Sequence, residues 1–294
     1  MERDWHYGED CGGSGEVGME QISFSVLMSL YIKEKPEYFE QCMESILNQT
    51  VMPEQIVIVK DGPLSKELEE VLKSYIVRNE KLYTIVPLKK NVGLGLALAE
   101  GILHCRNNLV ARMDTDDISV KRRFEIQLHE FEKDPELDIC GSNILEFEDS
   151  RDNIVAKRVV PLNDSDIKKY QKKRDAFNHM TVMFKKEMVL KAGNYQSCLL
   201  MEDTLLWVNM IMAGAKCMNI EQSLVYARVG KDMYERRGGW SYFKKYIAGR
   251  RKILETGYIS RIDFAVTYVA QLIIALVPNS TRKFLFNKIL RKGL

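Results

Sequence analysis

The chain has 294 residues, 46% of them hydrophobic and 29% charged, with a formal net charge of +2 at pH 7. That length buries a core without staples, and the composition excludes collagen-like, disulfide-framed and wholly disordered chains. The charge is uneven: residues 228–294 carry 15 Lys and Arg against 4 Asp and Glu, +11, which leaves −9 for residues 1–227. The C-terminal part is therefore expected to meet phosphate or an anionic membrane surface. The six cysteines (Cys11, Cys42, Cys105, Cys140, Cys198, Cys217) form no CxxC pair. They read as reduced thiols of a cytosolic protein rather than a disulfide frame or a zinc site.

Residues 1–20 have neither the basic start nor the apolar run of a signal peptide, and their Gly-rich, acidic stretch is expected to be a disordered leader. Residues 24–31 form a short apolar run, a first buried strand. Pro36 suits the first position of a helix over 37–49, where Phe39, Met43, Ile46 and Leu47 recur at helical spacing. Residues 55–59 are β-branched and apolar, a second strand ending at Lys60-Asp61-Gly62-Pro63. Leu68, Leu72, Tyr75 and Ile76 make the next helical stripe; 82–88 is a third strand and 91–104 a Gly- and Ala-rich helix. The fourth strand, 109–113, runs into Asp114-Thr115-Asp116-Asp117.

Strand and helix thus alternate through the first half, which predicts a doubly wound, mainly parallel sheet with ligands beyond the carboxyl ends of its strands. Tyr31, Asp61 and Asp114–Asp117 fall at three such ends. Clustered carboxylates repel one another, and a hard divalent metal is the usual reason for them; an acidic turn with a helix cap is the alternative. Asn91-Val92-Gly93-Leu94-Gly95 lacks the spacing of a dinucleotide fingerprint, and there is no Walker A motif. Its glycines are expected to allow close approach of the helix start to the sheet or to a bound nucleotide.

Beyond the acids, a helix is expected over 121–133, strand over 137–142 and 144–147, and a surface helix over 163–173. The polar pair Asn178-His179 leads into a strand ending at Phe184, and a short helix over 187–192 closes at Gly193. Glu202-Asp203 opens an amphipathic helix over 205–213, and 223–227 is a last strand.

In this order the elements resemble the inverting, nucleotide-sugar-dependent glycosyltransferases of family 2, with the GT-A fold. The likeness runs from about Phe24 to about Gly239 and rests on Ser45–Thr50, Val59–Gly62, Asn91–Gly101, the DxD-like Arg112–Asp117, Asn178-His179 and the ED-like Glu202-Asp203. Lys60 departs from the pattern, which often has an acid there; Lys60–Pro63 is similar to a subgroup that builds bacterial surface polysaccharides. The resemblance implies a GT-A domain over 21–239, with a nucleotide-binding half to about 117 and an acceptor half from 118, followed by a helical extension over 240–294. It implies Mn²⁺ or Mg²⁺ on Asp114 and Asp116. Tyr31, Asp61, Asn91, Arg112, Asp114, Arg236 and Arg237 would contact a nucleotide-sugar, with UDP favoured by Asp61; a simple Asp-Gly turn is the alternative for Asp61, a strand-end core aromatic for Tyr31 and a solvated charge run for Arg236-Arg237. Asp203 would be the general base with Glu202 beside it, and Asn178, His179 and Glu202 would line the acceptor. Asp117 would orient a ligand or Arg112, or cap the following helix.

The tail reads differently. The run 264–277 is strongly apolar but too short to span a bilayer, which takes about 20 residues, so an interfacial helix with basic flanks is expected. A hairpin packed on the core, or on a second subunit in a homodimer, is the alternative. The resulting expectation is a peripheral enzyme at the cytoplasmic face of an inner membrane, acting on a lipid-linked or oligosaccharide acceptor, with no nucleic-acid partner. Two other functions fit parts of the pattern. A nucleotidyltransferase would need glycines directly after the first strand, where Tyr31-Ile32-Lys33-Glu34 has none. A non-catalytic sugar- or membrane-binding scaffold would not need Asp114, Asp116 and Asp203.

Overall fold

A strand that is apolar on both faces requires cover on both, and Phe24–Leu30 is such a strand. A computed structural model describes residues 22–198, 200–230 and 238–278; the expected leader and the Arg236-Arg237 pair lie outside them. β1 (Phe24–Leu30) pairs in parallel with β2 (Gln55–Lys60) on one side and β4 (Leu109–Arg112) on the other, and β3 (Tyr83–Pro87) lies beyond β2. Successive side chains of β1 enter opposite layers. Val26, Met28 and Leu30 pack with Phe39, Met43 and Ile46 of α1 (Pro36–Leu47) and with Leu68 and Leu72 of α2 (Lys66–Arg78). Leu27, with Val57 and Val59, packs against Ala97, Leu98 and Ile102 of α3 (Leu94–His104). Gly101 lets α3 settle there, since a Cβ would stand 2.4 Å from Leu27 Cδ1 and 2.7 Å from Val59 Cγ2.

The parallel half is as the alternation predicts; the other half is mixed. β8 (Met183–Lys185) runs antiparallel to β4, and β6 (Ile139–Phe147) antiparallel to β8. β9 (Cys217–Arg228) returns parallel to β6 and carries β5 (Ile118–Ser119) at its far edge, while β7 (Ile154–Arg158) pairs with β6. β8 is fed by the one-turn 3₁₀ helix His179–Thr181. The last strand is longer than 223–227 because its first residues, Cys217–Ile220, pair with Ile139–Ser142.

α4 (Arg123–Lys133) joins the α1 layer through Phe124, Leu128 and Phe131. α5 (Asp164–Gln171), α6 (Lys186–Lys191) and α7 (Glu202–Met212) build the α3 layer, with Trp207 buried at its centre. A third cluster joins Met201, Leu205 and Val208 to Ile253 of α8 (Gly239–Glu255) and to Ile259, so the C-terminal extension is packed onto α7. α9 (Arg261–Leu276) follows, started by a capping box between Ser260 and Asp263. Among the described residues no helix is long and apolar enough to cross a membrane.

Candidate active site

Because β1, β2 and β4 are parallel, their carboxyl ends share one edge, and Tyr31, Asp61 and the acidic turn meet there as expected. The starts of α3 and α7 reach each other: a Cβ on Gly95 would stand 2.5 Å from Glu202 Cγ, so this glycine makes room for an acid of the second half. Helix starts carry positive potential and favour nearby negative charge.

The acidic turn is held from below. The fully buried Arg123 donates from Nη2 to the Arg112 carbonyl at 2.7 Å and from Nε to Gln127 Oε1 at 3.0 Å. Burial and the Arg112 charge lower its affinity for the proton to about 9. Arg112 is itself 1% exposed and forms an ion pair with Asp114. Its Nε and Nη1 are buried with no hydrogen-bond partner. Asp117, whose role the sequence left open, accepts from the Arg228 amide at 2.7 Å through Oδ1, which fixes the end of β9 to the turn. Arg228 also donates from Nε to the Asp116 carbonyl at 3.0 Å and lies over the Tyr38 ring at 3.8 Å. Burial first, then the neighbouring carboxylates, raises Asp116 and Asp117 above the usual carboxylate range.

Across the edge, Asp203 sits in the first turn of α7. Its Oδ1 accepts from the Thr204 amide at 2.8 Å, and its Oδ2 lies 4.0 Å from His179 Nδ1. The His179 Nε2 meets the Tyr195 hydroxyl at 2.9 Å. Burial, and then Arg112, pushes His179 well below its usual value, so it is a neutral imidazole. Burial first, then Asp175 and Glu202, raises Asp203 to about 7, against a backbone hydrogen bond and Arg112 that pull it down. Asp175 accepts from the Thr204 hydroxyl, which places a second carboxyl close behind Asp203. Burial also raises Glu202.

Three positions differ from their sequence assignments. Asn178 is fully buried and donates from Nδ2 to the Ser142 carbonyl at 2.7 Å, so it stands behind the site, not on an acceptor face. His179 packs among Tyr195, Trp207 and Asp203, its Nδ1 4.0 Å from Asp203 Oδ2, with little of its side chain exposed. Asp61 is 3% exposed and accepts from the amides of Val92 at 2.7 Å and Gly93 at 3.1 Å, so its carboxylate shapes the entry to α3. Asn91 donates to the Asp61 carbonyl at 3.3 Å in the same turn, and the helix starts at Leu94 because Gly93 has φ +92°. Lys60 pairs with Glu69 of α2 and leaves Asp61 without a cationic neighbour on its own strand. Arg123, Asp175 and Tyr195 were not singled out from sequence. Arg123 had one visible signal: a charge next to Phe124 at the start of an apolar stripe.

Asp114, Asp116 and Asp117 bring ligand oxygens within 4.8 Å of one another. Asp117 Oδ2 is buried without a partner, and an all-oxygen set suits a hard divalent cation. The residues fit such an ion.

Residues 25–192 match the profile of glycosyl transferase family 2. The chain belongs to that family. It is 40% identical to the amylovoran biosynthesis glycosyltransferase AmsE of Erwinia amylovora over 92% of this chain and 100% of that protein. It is 37% identical to the UDP-Gal:α-D-GlcNAc-diphosphoundecaprenol β-1,3-galactosyltransferase of Escherichia coli, over 92% of this chain and 98% of that one. Among solved structures, the Pyrobaculum calidifontis mannosyltransferase in complex with GDP-Man and Mn²⁺ superposes with a TM-score of 0.60 at 14% identity, covering 92% of this chain and 76% of that one. TarS 1–349 of S. aureus in complex with UDP-GlcNAc superposes with a TM-score of 0.58 at 14% identity, covering 92% and 72%. Those two show the fold, which is GT-A. This family 2 glycosyltransferase thus carries its DxD-like acids at the end of β4 and its ED-like pair at the start of α7.

Proposed function

We propose that this glycosyltransferase moves a sugar from a UDP-sugar to a hydroxyl of a lipid-linked saccharide during surface-polysaccharide assembly, with inversion at the anomeric carbon. The observation that carries the reading is Asp203: a carboxylate at a helix start, 4.0 Å from a neutral histidine and raised to about 7. A base needs an affinity near the working pH, so that it is ionised yet still takes a proton. The acceptor oxygen attacks C1 of the donor sugar, Asp203 takes the hydroxyl proton, and the C1–oxygen bond to the nucleoside diphosphate breaks. His179 and Thr204 hold Asp203 in place, and Glu202 contacts the acceptor beside it. Arg112, paired with Asp114, adds positive charge on the donor side. Mg²⁺ or Mn²⁺ on Asp114 and Asp116, with Asp117 adjoining, would supply further charge for the departing diphosphate. Asp61 and Asn91 shape the loop over which the nucleotide lies, with Tyr31 at its rim.

The E. coli relative's name supports the UDP-sugar and the lipid diphosphate acceptor, and the name of AmsE supports polysaccharide assembly. The five cysteines among the described residues, free and buried, support a reducing, cytoplasmic location. In this reading residues 21–239 form the catalytic unit and 240–294 an extension of it.

The test is a panel of sugar nucleotides with Mg²⁺ or Mn²⁺ and a synthetic lipid diphosphate saccharide, following nucleoside diphosphate release and the anomeric configuration of the product. Release that needs a uridine donor, metal and acceptor together, with an inverted product, is expected. A retained configuration, or transfer undiminished by chelator, would sink the mechanism.

A further inference from the structure

Most helices here bury apolar residues and show polar ones to solvent; α9 is reversed. Its two buried residues are Thr267 and Gln271, one turn apart. Its exposed residues include Ile262 at 75%, Val266 at 48%, Val269 at 53%, Ile273 at 52% and Leu276 at 71%. With Tyr268 these cover an arc of roughly 160° at about 100° per residue, wider than the narrow seam of a coiled coil. Thr267 donates back to the Asp263 carbonyl of its own helix at 3.1 Å, and Phe264 holds the helix start against the α7–α8 cluster, so the outward stripe plays no part in fixing α9.

The surroundings say what covers the outward face. Trp240 is 54% exposed and stacks on Phe243 with ring centroids 4.9 Å apart, and Phe243 meets Tyr268 edge-on at 5.3 Å. Trp and Tyr, apolar with one polar tip, gather at membrane–water interfaces, and Trp240 and Tyr268 are both exposed. Lys244, Lys245 and Arg251 of α8 and Arg261 of α9 are exposed on the same two-helix unit. A second copy of this chain would bring these cations against its own and be repelled, whereas an anionic lipid surface complements them.

We infer that α9 lies in the headgroup region of an anionic phospholipid bilayer, its Ile262–Leu276 stripe inserted and the α8 cations on the lipid phosphates. α8 rests on α7, so the docking helix pair is joined through one packed cluster to the helix that carries Asp203. The inference does not depend on which sugar is moved or to what.

The experiment uses the full chain and sedimentation with vesicles of phosphatidylglycerol and phosphatidylcholine, against phosphatidylcholine alone. Binding to the anionic vesicles is expected, falling with added salt. Val269→Asp with Ile273→Asp should weaken it at least tenfold, and Lys244→Ala with Lys245→Ala by several-fold. All four positions are exposed, so the thermal midpoint should not move, which separates lost docking from lost folding. Three results would overturn the inference. One is no preference for anionic vesicles; another is undiminished binding by the aspartate variant. The third is concentration-dependent dimerisation that the same aspartates abolish, which would assign the face to a second copy.

Discussion

The site contains two acidic groups built from the same carboxyl chemistry and put to different uses by their surroundings. Asp114, Asp116 and Asp117 crowd one turn, with Arg112 and the Arg228 amide taking one oxygen each from Asp114 and Asp117. Their repulsion is a need for positive charge, which a cation answers. Glu202 and Asp203 stand on a helix start, with no guanidinium paired to Asp203 among the described residues and a neutral histidine beside it. Burial first, with Asp175 and Glu202 close by, outweighs the Thr204 amide and Arg112 and so keeps Asp203 basic. The difference is one of neighbours and not of residue type, and Arg112 acts on both: it pairs with Asp114 and pulls Asp203 down.

The strongest break in this contrast is Asp203→Asn. It should lower kcat on the order of 10³-fold, as loss of a general base does, while isothermal titration of a sugar nucleotide gives an unchanged Kd. Weakened donor binding would move Asp203 into the donor group. Asp116→Asn is expected to lower kcat/KM on the order of 10²-fold and, unlike the first variant, to raise the metal concentration for half-maximal activity; an unchanged metal requirement counts against the turn as the cation's holder. The pH profile distinguishes the groups further. A base must be ionised to act, so kcat/KM should fall as pH drops through about 7, the raised value of Asp203. Replacing Arg112 by Gln removes a charge that holds Asp203 down, so that limb should move to higher pH, by less than about one unit. A limb that stays where it is would uncouple the two groups. The smallest effect is expected from Gly95→Ala, whose Cβ presses on the flexible stem of Glu202. Overpacking of this kind is worth on the order of 1 kcal/mol, read as about a fivefold rise in acceptor KM with donor affinity intact.

The sequence carried the parallel half clearly, because strands buried on both faces are continuous apolar runs such as Ile56–Val59. β5, with two residues, and β7, which ends in Lys157-Arg158, leave too little pattern to read. The acids were legible as chemistry at strand ends. What surrounds them was not, because the contacts are remote in sequence. Asn178 finds Ser142, His179 finds Tyr195 and Arg123 finds the carbonyl of Arg112, and only folding shows that these polar groups are buried. Asp61 is the instructive case: an Asp-Gly pair at a strand end has the same spelling whether it meets a base or braces a loop. For α9 the sequence showed an apolar helix, and only the placement of Thr267 and Gln271 showed which way it faces.

The Asp117–Arg228 hydrogen bond joins residues 111 positions apart. On a ribosome the acidic turn therefore emerges long before the strand that fastens it. The βαβ units around β1 contain their own partners and can condense early, whereas Asp117 lacks the Arg228 amide until β9 arrives. A nascent chain halted short of Arg228 would have a formed sheet edge but an unfastened acidic turn, so the turn is completed late in synthesis.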